Sequence, residues 1–311
     1  MKKILLVLLI AAATAAQGAA SAPEKKLTGT VTLSGAWAIY PTAVAWAEAF
    51  QKIHPKVKVE VSAGGAGKGA ADAIAGLVDI GMVSRDPDPA ETSRGIIPVY
   101  ILHDAVFPVI SEKNPASADI FKNGISRDTW KKIYISGQVS TWGEAAGGTS
   151  DKKIHIYTRS DSCGAAASWA GYIGKKQEDL KGIGIYGDPG LLEAAKRDPL
   201  GVGYNNFSYV FNRDGSLIKG AKLAPIDSNN NGTADPGEIL NNRDDAVKAI
   251  RSGLYPATRK NFFFLKKDAS ELAKSFIEFA LSEEGGKIVD EVGASLTITK
   301  EAAEESLKLL K

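Results

Sequence analysis

The chain has 311 residues, of which 44% are hydrophobic and 24% charged, a composition typical of a globular protein with about two domains of ordinary size. Its 38 basic and 36 acidic residues leave a net charge of +2, so the sequence offers no basic surface field for a nucleic acid or an acidic membrane. We therefore expect no nucleic-acid partner, and any anion site must be local.

The N-terminal residues have the pattern of a Sec-type signal peptide. Two lysines precede an apolar run from Ile4 to Ala16, and small residues at positions 18–22 provide cleavage sites. The apolar run is shorter than the roughly 20 residues that a membrane-spanning helix needs. No cysteine directly follows it for attachment of a lipid. We assign residues 1–22 to a signal peptide and expect a periplasmic protein without a lipid anchor.

The first part of the chain alternates strands with helices. Residues Thr28–Leu33 and Lys56–Val61 alternate in polarity as strands do, and an amphipathic helix lies between them. A further apolar strand follows at Val78–Val83. Repeated strand and helix units predict an α/β fold with a mainly parallel sheet, in which ligands bind at the carboxyl ends of the strands.

Two turns join such a strand to a helix and are candidate anion sites. The turn Ser62–Gly69 holds four glycines and precedes a short helix that we expect to begin near Gly69. The turn Arg159–Ala165 carries an arginine and precedes a helix over 166–173. Free amides and the helix dipole favour an anion at a helix N-terminus. The alternative for the glycine-rich turn is a tight connection that binds nothing.

The middle of the chain indicates a crossing into a second lobe. Strand-like runs at Ile97–Leu102 and Ala105–Ser111 flank Asp104, and the composition then changes at Asn114–Ser117. A buried strand at Phe262–Leu265 and amphipathic helices follow near the end of the chain.

The segment Asp227–Glu238 has the spacing of a calcium-binding loop. Oxygen-bearing residues stand at loop positions one, three, five, nine and twelve, and glycine stands at position six, where the chain must turn sharply. We expect a helix on the exit side only, at Ile239–Arg251, which makes half an EF-hand. The alternative is an asparagine-rich surface loop. The candidate ligands of a structural Ca²⁺ are Asp227, Asn229, Asn231, the carbonyl of Thr233, Asp235 and Glu238.

Several motifs in order resemble those of the phosphate-binding (PstS-type) periplasmic substrate-binding proteins of ABC importers. The family's first turn is matched by Gly35–Pro41, its glycine-serine-glycine turn by Gly65–Gly69, and its second-lobe motif by Arg159, Asp161 and 163–165. Further matches lie at Gly76–Gly81, Ser84-Arg85, Asp104, Asn114-Pro115, Gly201–Tyr204, Tyr255-Pro256, Arg259 and Phe276–Gly286. The resemblance covers essentially the whole length after the leader.

The resemblance implies a two-lobed α/β clamp of the type II periplasmic binding protein class, each lobe a mainly parallel sheet with flanking helices. Residues 27–112 with 257–311 would form the first lobe, and 113–256, including the calcium-type loop, the second. An oxyanion would bind between the lobes, with Arg159 neutralising its charge. The binding residues it implies are Ala36, Trp37, Ala38, Ala66, Gly67, Ser84, Arg85, Asp104, Arg159, Cys163, Gly164 and Ala165.

The chain departs from the family pattern where hydroxyl donors are common. Alanine, tryptophan or cysteine stands there instead, and each lost hydrogen bond to a charged ligand is worth about 1.5–3 kcal/mol. Arg85 occupies the position of an aspartate that accepts the phosphate proton in some relatives. Asp104 could replace that aspartate, although a hinge hydrogen bond is its favoured role. Phosphate is therefore the ligand that we expect, and sulfate, molybdate and tungstate are the alternatives.

The sequence favours a binding protein over an enzyme. Gly65-x-Gly67-x-x-Ala70 fits a loose dinucleotide fingerprint, but no acidic strand end follows at the right distance. Cys163, the single cysteine, could be a nucleophile with a lowered pKa near Arg159, but an inert residue lining the turn is favoured. We expect a monomer that hands its ligand to an ABC permease, and Arg159→Ala is expected to abolish tight binding while leaving the fold intact.

Overall fold

The computed structural model describes residues 27–311, so the predicted signal peptide at 1–22 lies outside the described residues. The strands are β1 (Gly29–Gly35), β2 (Val57–Ala63), β3 (Ile80–Val83), β4 (Ile96–Ser111), β5 (Ile125–Ser126), β6 (His155–Arg159), β7 (Ile183–Ile185), β8 (Gly201–Asn206), β9 (Ala221–Leu223), β10 (Ile226–Asp227) and β11 (Thr258–Lys266).

The helices are α1 (Tyr40–Ile53), α2 (Ala66–Ala75), α3 (Pro89–Thr92), α4 (Ser117–Asn123), α5 (Arg127–Lys131), α6 (Trp142–Ala146), α7 (Gly164–Tyr172), α8 (Gly187–Arg197), α9 (Phe207–Val210), α10 (Arg243–Arg251), α11 (Glu271–Ala280), α12 (Glu283–Val292) and α13 (Lys300–Lys308). A π-helical segment continues α5 at Lys132–Ser136. In the part of the chain from 27 to 311, no helix has the length and apolar character to span a membrane.

One sheet of nine strands runs through the molecule. Its order is β2-β1-β3-β11-β4-β8-β6-β7, and β9 also pairs with β4. Strand β1 is parallel to β2 and β3, and β6 is parallel to β7 and β8. Between these two parallel groups, β4 and β11 run antiparallel to each other and to their outer neighbours. The two predicted parallel sheets are therefore present and are joined by an antiparallel pair.

The hydrophobic core divides into two clusters, and the division falls within β4 and near the start of β11. Leu102 packs with one cluster and Ala105 with the other, while Phe262 and Ala257 divide in the same way. We call the element groups around these clusters the first lobe, with β1–β3, α1, α2 and α11–α13, and the second lobe, with β6–β9 and α4–α10. The fold is thus a two-lobed α/β clamp connected by β4 and β11.

A buried ion pair fastens the two connecting strands together. Arg259 Nε and Nη2 donate to the two carboxylate oxygens of Asp104, at 2.6 and 2.9 Å, and Arg259 also binds Asn206 at the end of β8. The two charged side chains are almost completely buried. The pair lies where β4 passes from one cluster to the other, so it holds together the two strands that connect the lobes.

Among the predicted elements whose ends differ from the structure, three differ for a clear physical reason. The two strand runs around Asp104 form the single strand β4, because β11 and then β8 pair with it without a break in the chain. Helix α2 begins at Ala66 rather than near Gly69, since the positive φ of Gly65 (93°) makes the turn earlier. The helix after the calcium-type loop begins at Arg243 rather than Ile239, because Asn242 caps it by accepting from the amide of Asp245.

Candidate functional site

The glycine-rich turn at the start of α2 faces the turn at the start of α7 in the other lobe. The Gly67 amide donates to the Ser162 carbonyl at 3.1 Å. A Cβ placed on Gly65 would lie 2.6 Å from that same oxygen. These glycines are needed because the two backbones approach more closely than side chains would allow.

The start of α7 also contacts the end of β3. Cys163 is the N-cap of α7, and its Sγ accepts from the Ala166 amide at 3.4 Å. A Cβ on Gly164 would overlap the carbonyl oxygen and the hydroxyl of Ser84. Ser84, which the sequence places in the site, is itself buried. The two predicted anion cradles are therefore brought together across the lobes.

Trp37 adds a third contact between the lobes. Its ring meets Tyr186 edge to face, with centroids 6.2 Å apart, and its carbonyl accepts from the hydroxyl of Tyr209 at 3.3 Å. The indole nitrogen is buried, and the described residues provide no hydrogen-bond partner for it. The turn that precedes α1 thus packs against the second lobe as well as against the core of the first lobe.

Arg159 lies buried at the end of β6 between two carboxylates. Its Nε and Nη2 donate to Asp161 at 2.7 and 2.5 Å, and its Nη1 donates to Asp188 at 2.5 Å. Burial opposes the charge, but the carboxylates of Asp188 and Asp161 raise the pKa of Arg159, so the guanidinium stays charged. A guanidinium has more N–H groups than these three bonds use, so donors remain for an anion.

Asp188 is a site residue that sequence reasoning missed. It lies in the first turn of α8 and is only 1% exposed. Burial raises the pKa of its carboxyl group, because a buried carboxylate loses its hydration. Its Oδ2 accepts from Arg159, whereas Oδ1 has no hydrogen-bond partner among the described residues. The sequence signal was weak, because an acidic residue next to proline at a helix start is typical of an exposed cap.

The remaining predicted site residues separate into two groups. Arg85 forms a bidentate ion pair with Glu91, at 2.9 and 2.6 Å, and Asp104 forms the pair with Arg259 described above. Both therefore have ionic partners of their own. The small side chains expected to line the site are buried; they are Ala36, Ala38, Ala66 and Ala165.

Cys163 does not have the environment of a nucleophile. Burial raises the pKa of its thiol to about 12, although the neighbouring Arg159 acts in the opposite direction. The lowered pKa considered from the helix N-terminus is therefore wrong, because desolvation outweighs the attraction of the arginine.

The calcium-type loop is closed by its own hydrogen bonds. The carboxylate of Asp227 accepts from the amides of Asn231 and Gly232, and that of Glu238 accepts from Ser228 and Asp235. Asp235 accepts from the side-chain amides of Asn229 and Asn231, and Thr233 donates its amide to Asn231. Within residues 27–311, no three His, Cys, Asp or Glu side chains form a group that could hold a metal ion.

Comparisons with known proteins agree with this architecture. Residues 20–284 match the family model of the PBP superfamily domain. The chain is 27% identical over 261 residues to the phosphate-binding protein PstS of Bacillus subtilis, covering 84% of this chain and 78% of that protein. It is 26% identical over 276 residues to the protein SphX of Synechococcus elongatus, covering 85% and 76%.

Solved structures share the fold. A phosphate ABC transporter substrate-binding protein from Clostridium perfringens, with bound phosphate, superposes with a TM-score of 0.72 and 26% identity, covering 87% of this chain and all of that one. An ABC-type phosphate transport receptor from Vibrio cholerae superposes with a TM-score of 0.65 and 22% identity, covering 86% and 100%.

Proposed function

This chain belongs to the PBP superfamily, and from that premise we propose that it is an extracytoplasmic solute-binding protein that captures phosphate for an ABC importer. The similarity to PstS of Bacillus subtilis and to the phosphate-bound protein of Clostridium perfringens supports phosphate as the ligand. The observation that carries the proposal is the meeting of two helix starts across the lobes beside the buried Arg159.

Binding follows from these contacts. When the lobes separate, the Gly67 amide is released from Ser162, and the amides at the starts of α2 and α7 can bind an oxyanion. The free N–H groups of Arg159 supply positive charge from the second lobe. Closure then surrounds the anion with donors from both lobes. No group that would break or form a covalent bond is required, so we infer that the protein is not an enzyme.

The setting in the cell is part of the proposal. The apolar leader supports export to the periplasm, and the transport functions named for the relatives support docking of the closed clamp on the membrane subunits of an ABC permease. We infer that the protein works as a monomer, which light scattering of the mature protein would test by its mass.

The ligand is tested by titrating ligand-stripped protein with phosphate, arsenate, sulfate, molybdate and tungstate, and with a nicotinamide dinucleotide as the control for the enzyme alternative. A ligand raises the melting temperature according to its affinity and concentration. We expect phosphate and arsenate to stabilise the protein. A response to sulfate or the metal oxyanions alone would replace phosphate as the ligand, and a response to no oxyanion would contradict the proposal.

We also propose that the loop 227–238 binds one Ca²⁺ with a structural role. Asp227 and Glu238 are buried carboxylates whose partners are neutral N–H and O–H groups of the loop, an arrangement that a hard cation would stabilise. Calcium should raise the melting temperature of the wild type, and Glu238→Gln should reduce that rise. Equal melting curves with calcium and with a chelator would show that the loop is empty.

A further inference from the structure

Asp188 is placed where a carboxylate is hard to accommodate. It is only 1% exposed, and one of its oxygens is bound to Arg159 while Oδ1 has no partner in the described part of the chain. An unpaired buried oxygen of a charged group is costly. The free oxygen belongs to a side chain that touches the arginine of the proposed anion site, so it is near the position of an incoming ligand.

The charges around Arg159 do not favour an anion if every acid is ionised. One guanidinium is bound by two carboxylates, which gives the group of Arg159, Asp161 and Asp188 a net charge of −1. A further anion would be repelled by the excess negative charge. A proton on one acid would make the group neutral. Asp161 is held by two bonds to Arg159, so Asp188 is the acid that can accept it.

Besides Arg159 and Ser84, the helix starts of the site offer few side-chain donors. The side chains that follow the two helix starts include Ala66 and Ala165, which have no hydroxyl group, and the Cys163 sulfur already accepts from the Ala166 amide. A protonated carboxyl group would add one O–H donor beside the arginine.

We propose that Asp188 binds the anion as a neutral carboxylic acid that donates its O–H from Oδ1, so that each anion captured is accompanied by one proton taken from solvent. The inference rests on the proposed function, because it assigns a role within the same site. No bond other than the O–H bond of Asp188 is formed. Burial raises the pKa of this group, which is the direction that favours its neutral form.

The groups that face Asp188 do not take up this proton themselves. Arg159 lies at the end of β6, Asp161 on the turn after it and Arg259 on β11, and a guanidinium has no acceptor for a further proton. The Cys163 thiol has a pKa of about 12, and burial raises the pKa of Tyr209 on α9 above its ordinary value. Both are therefore already protonated at neutral and weakly alkaline pH.

The test is calorimetric titration with phosphate between about pH 8 and pH 9, where most of the free anion is in its doubly charged form. Measuring the heat in two buffers of different ionisation enthalpy counts the protons taken up. We expect one proton per phosphate and an affinity that falls about tenfold per pH unit. Asp188→Asn keeps a donor at this position without titrating, so it should take up no proton and bind more tightly than the wild type near pH 9.

The matched control is Asp198→Asn, which removes a carboxylate at the other end of α8 and should keep the proton uptake of the wild type. Wild-type binding without proton uptake would overturn the inference while leaving the proposed function standing, and so would unchanged uptake in Asp188→Asn. Wild-type binding without proton uptake overturns the inference even if that variant fails to fold. A wild type that binds none of the oxyanions tested would instead contradict the proposed function.

Discussion

At the scale of single residues, Arg159 stabilises the fold as well as the proposed site. Replacing it with alanine would leave the buried Asp188 and the half-buried Asp161 without their cation. We therefore expect Arg159→Ala to lose anion binding and also to lower the free energy of unfolding by about 3–5 kcal/mol. The sequence alone predicted an intact fold for this variant, because it could not show that the arginine is buried between two acids.

Urea denaturation and calorimetric titration would measure both effects of Arg159→Ala. Arg197→Ala is the control, since that side chain is 80% exposed on the same lobe and its removal should change stability by less than about 0.5 kcal/mol. A variant at position 159 as stable as this control would contradict the structure of the site.

The buried thiol gives a second prediction for a single residue. Because the pKa of Cys163 is about 12, only a minute fraction is thiolate at neutral pH, and the side chain is almost inaccessible. Native protein at pH 8 should resist alkylation by iodoacetamide, while protein unfolded in urea should react fully. Mass spectrometry after timed exposure would show it. Rapid modification of the native protein would indicate an exposed, reactive cysteine.

At the scale of secondary structure elements, α7 allows a comparison between two of its glycines. A methyl group on Gly164 would overlap Ser84 of the other lobe, whereas one on Gly171 would meet no heavy atom within 4 Å. We expect Gly164→Ala to hold the lobes apart and weaken phosphate binding at least about tenfold, because closure is obstructed. Gly171→Ala should leave affinity unchanged and add about 0.5–1 kcal/mol of stability from helix propensity.

Titration calorimetry and small-angle scattering would follow affinity and closure in these two variants. Equal affinity and equal compactness would show that the Ser84 contact does not limit closure.

The elements also show what sequence patterns can and cannot predict. The alternating strands and the two turns from strand to helix were predictable, because each has a local pattern of side chains, although both helices begin earlier than predicted. The continuity of β4 was not, because Asp104 interrupts its apolar pattern, and only the pairing with Arg259 explains a charge there. Asp188 was missed for a similar reason. Its partner Arg159 is distant in sequence, and burial cannot be read from a helix-capping position.

At the scale of the whole molecule, motion of the lobes should be visible in tryptophan fluorescence. Four of the five tryptophans are fully buried within a lobe, while Trp37 lies half-buried against Tyr186 of the other lobe. Opening should expose Trp37 and shift the emission to longer wavelength. We expect Trp37→Phe to remove most of the difference between ligand-free and ligand-bound spectra.

Trp46→Phe is the control for this experiment, because the Trp46 indole donates to Gly285 within the first lobe and should not sense opening. An unchanged difference spectrum in Trp37→Phe would mean that this contact persists when the ligand leaves.

The position of β11 has a consequence for the order in which the lobes can fold as the chain emerges with its N-terminus first. The second-lobe core is built mostly from one continuous stretch, residues 105–257, and can fold as soon as that stretch has emerged. The first lobe cannot, because β11 is inserted between β3 and β4 although it is translated long after both. Until Thr258–Lys266 is synthesised, two strand edges in the middle of that lobe have no neighbour, and such edges invite association with other chains. A strand that is made late therefore covers strand edges in the part of the chain that is made first.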